Sequence, residues 1–297
     1  RPPRSTLFPY TTLFRSIIVG VEYPNEVNKG GFFRSTDFGN SWTQINNGYG
    51  LWTQGNLLTD RFPTIWALEY HEGTLFAGIR KFNGVPQGLW KSMDNGDSWV
   101  HVGFLNDTEV RSIFSFNGNI YVGTSQDGIY KSTNGGNSWN LENGDLNIHQ
   151  YFLVRQLLEG TNGNMVAVTD ISILISEDEG ENWSVRNTGI NELSIDAFGI
   201  MDDDIFVSSA KGGVFKSTDN GQSWIDINPE GITAIRYIHV METMLWLSNS
   251  TNPTYAFTSG DKGETWNLIM APSGNGFQSV AEDNQYLFVT TNAEGGG

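Results

Sequence analysis

Six short segments of this chain repeat one pattern, Ser-x-Asp-x-Gly-x-Ser/Thr-Trp or a near variant of it. They run from Ser35 to Trp42, Ser92 to Trp99, Ser132 to Trp139, Ser176 to Trp183, Ser217 to Trp224 and Ser259 to Trp266. The third carries Asn134 in place of the acid, and the fourth carries Asn182 before its tryptophan. Successive tryptophans stand 57, 40, 44, 41 and 42 residues apart. Self-similarity at a near-constant period requires equivalent supersecondary units, each burying its apolar face against the next.

The units parse alike. In the third, Glu109 to Phe116 alternates as a strand, Asn117-Gly118-Asn119 makes a hairpin turn, Ile120 to Thr124 is the second strand and Ile129 to Ser132 the third. The repeated box forms the next turn, and Trp139 opens an outer strand. Matching first strands begin near Thr64, Leu153, Ser194, Ala234 and Gly276, and second strands contain Phe76, Val166, Phe206, Trp246 and Phe288. No segment sustains helical periodicity. Four short strands per unit at a period of about 40–45 residues predict an all-β chain, a β-propeller of four-stranded antiparallel blades. The expected blades are 64–102, 108–142, 150–187, 193–228 and 231–270, with partial blades at 17–46 and 276–297 and seven blades in a complete protein.

The box residues have a mechanical reading. Asp37, Asp94, Asn134, Asp178, Asp219 and Asp261 can cap backbone N–H groups of their own turns, and the glycine two positions on supplies a positive φ. Trp42, Trp99, Trp139, Trp183, Trp224 and Trp266 are large apolar plugs suited to the space between neighbouring blades. The boxes therefore read as scaffold rather than as six calcium or sugar sites.

They resemble the Asp-box (BNR) repeats of a propeller superfamily that includes sialidases, xyloglucanases, sortilin-type receptors and a photosystem assembly factor. The resemblance spans Ile17 to Gly297. It implies the fold directly, and it implies a function in any of three classes, because that superfamily mixes enzymes, receptors and assembly factors.

Both ends read as cut. Residues 1–16 look like the translation of a sequencing adapter joined in frame, so they are set aside from fold reasoning. The chain is expected to be a fragment.

Composition narrows the partners. A formal charge of -16 repels phosphate and argues against nucleic acid or an anionic membrane surface. No apolar run approaches the roughly 18 residues of a membrane span. The absence of cysteine excludes disulfides and thiolate-held metals. His71, His101, His149 and His239 are dispersed, and the run Asp202-Asp203-Asp204 reads as a solvated hairpin turn. Neither metal nor cofactor is expected.

Aligning the first strands brings one position into view: Trp66, Arg111, Arg155, Asp196, Arg236 and Gln278. Equivalent positions of innermost strands are expected to line a central funnel, where grouped guanidiniums suit a carboxylate, sulfate or phosphate. The alternative is a channel-lining network in which Asp196 and water satisfy the arginines. Ligands of propellers sit on the face opposite the box turns. There the connection from Asn46 to Pro63, carrying Tyr49, Trp52, Asp60 and Arg61, is a second candidate. The insertion from Arg80 to Gln87 is a third.

A sialidase-like enzyme would need a Phe/Tyr-Arg-Ile-Pro motif and a Tyr–Glu pair, of which only Arg61-Phe62-Pro63 is a partial match. A xyloglucanase-like hydrolase would need two carboxylates across a cleft, for which Asp60, Asp107 and Asp196 are available. The reading that follows is a non-catalytic binding or scaffolding propeller, secreted or at a bacterial cell surface, taking a carbohydrate or protein ligand at the loop face. A glycoside hydrolase and a client-gripping assembly factor are the alternatives.

Overall fold

The computed structural model describes residues 16–21, 30–49, 52–54, 57–61, 64–80, 88–103, 105, 108–144, 153–190, 195–209, 213–230, 237–248, 255–270, 276–282 and 287–292. At some of these, among them 52–54, 57–61, 196 and 278, the description is of the backbone alone. Apart from one 3-10 turn at Thr161–Gly163, their regular structure is strand. None of their helices is long and apolar enough to cross a membrane.

A three-stranded sheet comes first: β1 (Ile17–Val21), β2 (Gly31–Ser35) and β3 (Thr43–Gln44), paired in that order. Next is a hairpin of β4 (Trp52–Gln54) and β5 (Leu57–Arg61), which sets Trp52 opposite Arg61. The connection between Asn46 and Pro63, expected as a loop, thus contains a two-stranded sheet of its own.

Four-stranded antiparallel sheets follow. They are β6 (Ile65–His71), β7 (Thr74–Ile79), β8 (Gly88–Ser92) and β9 (Val100–Val102), then β10 (Val110–Phe116), β11 (Asn119–Thr124), β12 (Ile129–Ser132) and β13 (Asn140–Leu141). The series continues with β14 (Val154–Glu159), β15 (Met165–Thr169), β16 (Ile173–Ser176) and β17 (Ser184–Val185), the last three paired in order. Two more complete sheets are β18 (Ile195–Met201) to β19 (Asp204–Ser209), β20 (Gly213–Ser217) and β21 (Ile225–Asp226), and β22 (Tyr237–Val240) to β23 (Leu245–Ser248), β24 (Tyr255–Ser259) and β25 (Asn267–Met270). A final pair is β26 (Gly276–Glu282) with β27 (Leu287–Asn292). The strand expected from Ala234 is described only from Tyr237, and Arg236 lies outside the described residues.

Two compact units emerge, one of Arg1–Leu158 with Gly180–Asn182, the other of Glu159–Glu179 with Trp183–Gly297. In each, the core lies between facing sheets. In the first unit Phe32, Ile45, Tyr49, Ile65, Leu75 and Trp99 form one such layer, and Phe76, Leu89, Val110, Ile120 and Val122 form the next. In the second unit Phe206, Val214, Ile238, Leu245, Leu247 and Phe257 do the same. The alternating strands leave their apolar side no other partner than the neighbouring sheet.

The boxes form the turns between third and fourth strands, and each closes on itself. In the second, the Ser92 hydroxyl donates to Asp94 (2.7 Å) and accepts from the Gly96 N–H (2.8 Å), while Asp94 accepts from the Ser98 N–H (2.8 Å). The fifth and sixth boxes repeat this set through Asp219 and Asp261. In the third, the Asn134 oxygen accepts from the Ser138 N–H (2.9 Å) while its amide donates to the Ser138 hydroxyl (2.7 Å).

The tryptophans do more than fill space. The Trp99 indole N–H donates to the Ile45 carbonyl of the preceding sheet (2.9 Å), Trp224 to Arg186 (2.9 Å) and Trp266 to Ile227 (2.8 Å). Trp42 departs from the expectation of a plug: its indole bonds to Gly39 of its own box (3.1 Å), and 42% of its surface is exposed.

Candidate functional site

The position shared by the first strands is a β-bulge. The β6–β7 register slips between Ile65 and Ala67, β10–β11 between Val110 and Ser112, β18–β19 between Ile195 and Ala197, and β26–β27 between Phe277 and Ser279. The residues that fall in these slips are Trp66, Arg111, Asp196 and Gln278. A bulged residue leaves the ladder and is re-aimed relative to its neighbours. This explains why unrelated chemistries occupy one column of the sequence while the flanking positions stay apolar.

On three strands of the first unit the residue before this shared position is seated by a glycine in the preceding sheet. A β-carbon on Gly20 would lie 2.7 Å from Ile65, one on Gly78 2.6 Å from Val110, and one on Gly123 2.5 Å from Val154. Each notch admits a β-branched side chain and so fixes where the next residue begins. In the first unit the three residues so placed, Trp66, Arg111 and Arg155, stand on β6, β10 and β14. The Leu157 N–H donates to the Ser112 hydroxyl (2.8 Å), which ties β14 to β10.

Two of these side chains meet. The Arg111 guanidinium lies 4.2 Å from the centroid of the Trp66 ring, with Arg80 further off at 5.7 Å. Arg111 also donates from Nε (3.0 Å) and from a terminal nitrogen (2.6 Å) to one oxygen of Glu109. Arg111 and Glu109 are both largely buried. The sequence reading gave the partner's role to Asp196, whose side chain lies outside the described residues; the acid that engages Arg111 is Glu109, two residues upstream on its own chain segment.

Arg155 differs. It is exposed and makes no hydrogen bond or ion pair with a described residue. Of the remaining candidates, Trp52 and Arg61 face each other in the β4–β5 hairpin by backbone register, and Asp196 and Gln278 are placed by backbone in their bulges. The side chains of Asp60 and Asp107 lie outside the described residues, as do Lys81, Phe82 and Asn83.

The other acids have structural tasks. Burial raises the Glu69 carboxyl above the usual range, against the Ser115 N–H that it accepts (3.2 Å). Asp202 and Asp204, read from sequence as a solvated turn, pair with Lys262 (2.9 and 3.2 Å), and Asp204 also with Lys216 (3.3 Å). Among the described residues no cluster of three or more acidic or histidine groups could hold a metal.

One recurrent device escaped the sequence reading. Asn46, Asn143, Asn187 and Asn228 each stand four residues after a box tryptophan. Their side-chain oxygens accept from the N–H of Phe32 (2.7 Å), Ile129 (2.9 Å), Ile173 (3.0 Å) and Val214 (3.0 Å), fourteen residues back in each case. The repeated spacing was the available signal.

These sheets and their boxed turns define an all-β protein of the propeller class. A family model for the DUF6242 beta propeller domain matches residues 70–197. No curated protein matches the chain in sequence. Among solved structures the chain is similar to YCF48 from Cyanidioschyzon merolae, with a TM-score of 0.63 and 13% identity over 98% of this chain and 94% of that one. It is equally similar to YCF48 bound to D1 peptide, with a TM-score of 0.63 and 16% identity over 98% and 93%. It also resembles the GH74 xyloglucanase from Xanthomonas campestris, with a TM-score of 0.56 and 14% identity, covering 86% of this chain and 43% of the enzyme. At these identities the likeness is one of fold, and the chain spans less than half of that enzyme's length.

Proposed function

We propose that the chain is a non-catalytic binding propeller of a secreted or cell-surface protein, and that its ligand is a protein segment bearing a carboxylate. The carrying observation is the bulge column of the first unit. There Trp66 and Arg111 form a held aromatic–guanidinium pair, while Arg155 on β14, the strand tied to β10 through Leu157 and Ser112, is exposed with no described partner. A fixed planar surface beside a free guanidinium suits a peptide carboxylate, because it combines a preorganised stacking face with bidentate hydrogen bonding. Likeness to a propeller solved with a bound peptide supports the same class of ligand. The extracellular placement rests on an acidic surface poor in lysine.

The test pairs binding with turnover. An acidic heptapeptide with a free C-terminus should bind the intact chain more tightly than its C-terminal amide. Arg155→Ala should weaken that binding about tenfold with little change in melting temperature. Equal binding by the variant removes the assignment. Release of reducing sugar from xyloglucan would put the glycoside hydrolase reading in its place.

A further inference from the structure

Five of the six boxes carry aspartate at their third position, and the third box carries Asn134. The residue that follows differs as well. It is Phe38, Asn95, Glu179, Asn220 or Lys262 in the other boxes and Gly135 in this one. All six take a positive φ, from 57° to 67°. Glycine reaches that conformation without strain and leaves the nitrogen beside Asn134 uncovered. A β-carbon on Gly135 would meet nothing within 4 Å, and both residues are exposed to water.

The Asn134 amide is held as a reacting group would be. Its Oδ1 accepts from the N–H groups of Ser138 (2.9 Å) and Asn137 (3.2 Å) and from the Ser132 hydroxyl (3.0 Å). Three donors on one carbonyl oxygen draw electron density from Cγ and stand ready for negative charge on that oxygen. Its Nδ2 donates to the Ser138 hydroxyl (2.7 Å).

The neighbouring nitrogen is unengaged, because the Gly135 N–H donates to no described residue. The second and fifth boxes also contain an Asn-Gly pair, and there the glycine N–H is tied to the box serine: Gly96 to Ser92 and Gly221 to Ser217, both at 2.8 Å. In the third box that bond belongs to Gly136 (2.9 Å), one residue further on.

We propose that the third box is a self-modifying site, in which Asn134 becomes aspartate through its own turn and water. The Gly135 nitrogen gives its proton to hydroxide and bonds to Cγ of Asn134. Negative charge gathers on Oδ1, where the three donors meet it. The Cγ–Nδ2 bond then breaks, and the nitrogen takes a proton from water and leaves as ammonia. This restores the hydroxide and closes a five-membered succinimide. A second water attacks Cγ, breaks its bond to the Gly135 nitrogen, returns a proton to that nitrogen and leaves a carboxylate. The donors on Oδ1 activate this carbonyl over the main-chain one, so the turn yields aspartate rather than β-linked isoaspartate. In the product the Ser138 hydroxyl changes from acceptor to donor, as Ser98 and Ser223 already donate to Asp94 and Asp219 (2.5 Å each).

Ageing of the full chain in mildly alkaline buffer, followed by peptide mass spectrometry that separates aspartate from isoaspartate, tests the assignment. Asn134 should convert at least about tenfold faster than Asn95 and Asn220, with aspartate as the main product. In the urea-unfolded chain that advantage should vanish and isoaspartate should predominate. Gly135→Asn places there the residue that the second and fifth boxes accept. It should slow conversion at position 134 at least about tenfold at an unchanged melting temperature. The melting temperature of the aged chain should rise to that of Asn134→Asp. Equal rates at the three asparagines, faster conversion in urea than in the folded chain, isoaspartate as the main folded-state product, or an unchanged rate in Gly135→Asn would each overturn it.

Discussion

Arg111 is held from two sides, by the face of Trp66 at 4.2 Å and by the carboxylate of Glu109 at 2.6 Å. The two contacts fix both the plane of the guanidinium and its charge balance. Glu109→Gln removes the charge and keeps the shape. It should lower stability by about 1.5–3 kcal/mol, the scale of a hydrogen bond to a charged group. Arg155→Ala, at an exposed side chain, should stay within about 0.5 kcal/mol. Urea unfolding of the two variants separates the held arginine from the free one.

The box tryptophans should be unequal. Trp99 is buried and bonded to the preceding sheet, so Trp99→Phe loses a hydrogen bond and leaves a void, at a cost of about 2 kcal/mol. Among the described residues Trp42 bonds only within its own box, and Trp42→Phe should fall within about 0.5 kcal/mol. Thermal denaturation of the pair checks this, and equal losses would show that the inter-sheet bond contributes nothing.

Acid should unfold the protein through its boxes. Hydrogen bonds from Ser259 and Thr265 hold the Asp261 carboxyl at about 2, below the usual 3.8. Asp37 and Asp94 are lowered chiefly by the hydroxyls of Ser41 and Ser98. A folded-state value below the unfolded one stabilises the fold fully above the unfolded value, and that contribution is lost as pH falls through the folded one. The loss therefore runs from near pH 4 down to about pH 2. Asp261→Asn should shallow the fall in melting temperature over that window and leave its slope near pH 7 unchanged.

Glu69 carries the opposite sign. Desolvation raises its carboxyl above 4.5 in the folded state. Its contribution is then fully present below the unfolded value and is lost as pH rises through the folded one. Glu69→Gln keeps an acceptor for the Ser115 N–H without the buried charge. Its melting temperature should gain on that of the native chain between pH 4 and pH 7, and a constant difference across that range would contradict the assignment.

The boxes were legible because each needs particular residues at fixed spacing: a hydroxyl and a carboxylate that bond to each other, a glycine with positive φ, and a tryptophan. Repetition also exposed the bulge column, since Trp66, Arg111 and Asp196 break an otherwise apolar register. The bulge itself was not legible, because alternation looks the same on either side of a one-residue slip. Nor was Glu109, whose pairing depends on how the bulge turns Arg111. The glycine notches at Gly20, Gly78 and Gly123 were hidden for another reason: their meaning lies in the next sheet, at Ile65, Val110 and Val154.

The bulge column separates two kinds of information. The notch and the ladder around it state how a blade folds, and the bulged residue takes no part in either statement. Tryptophan, arginine, aspartate and glutamine can therefore stand at one address without rewriting its surroundings. On these four strands the side chain at the slip can change while the ladder around it keeps its register, so the chemistry of the column and the fold of its sheets vary independently.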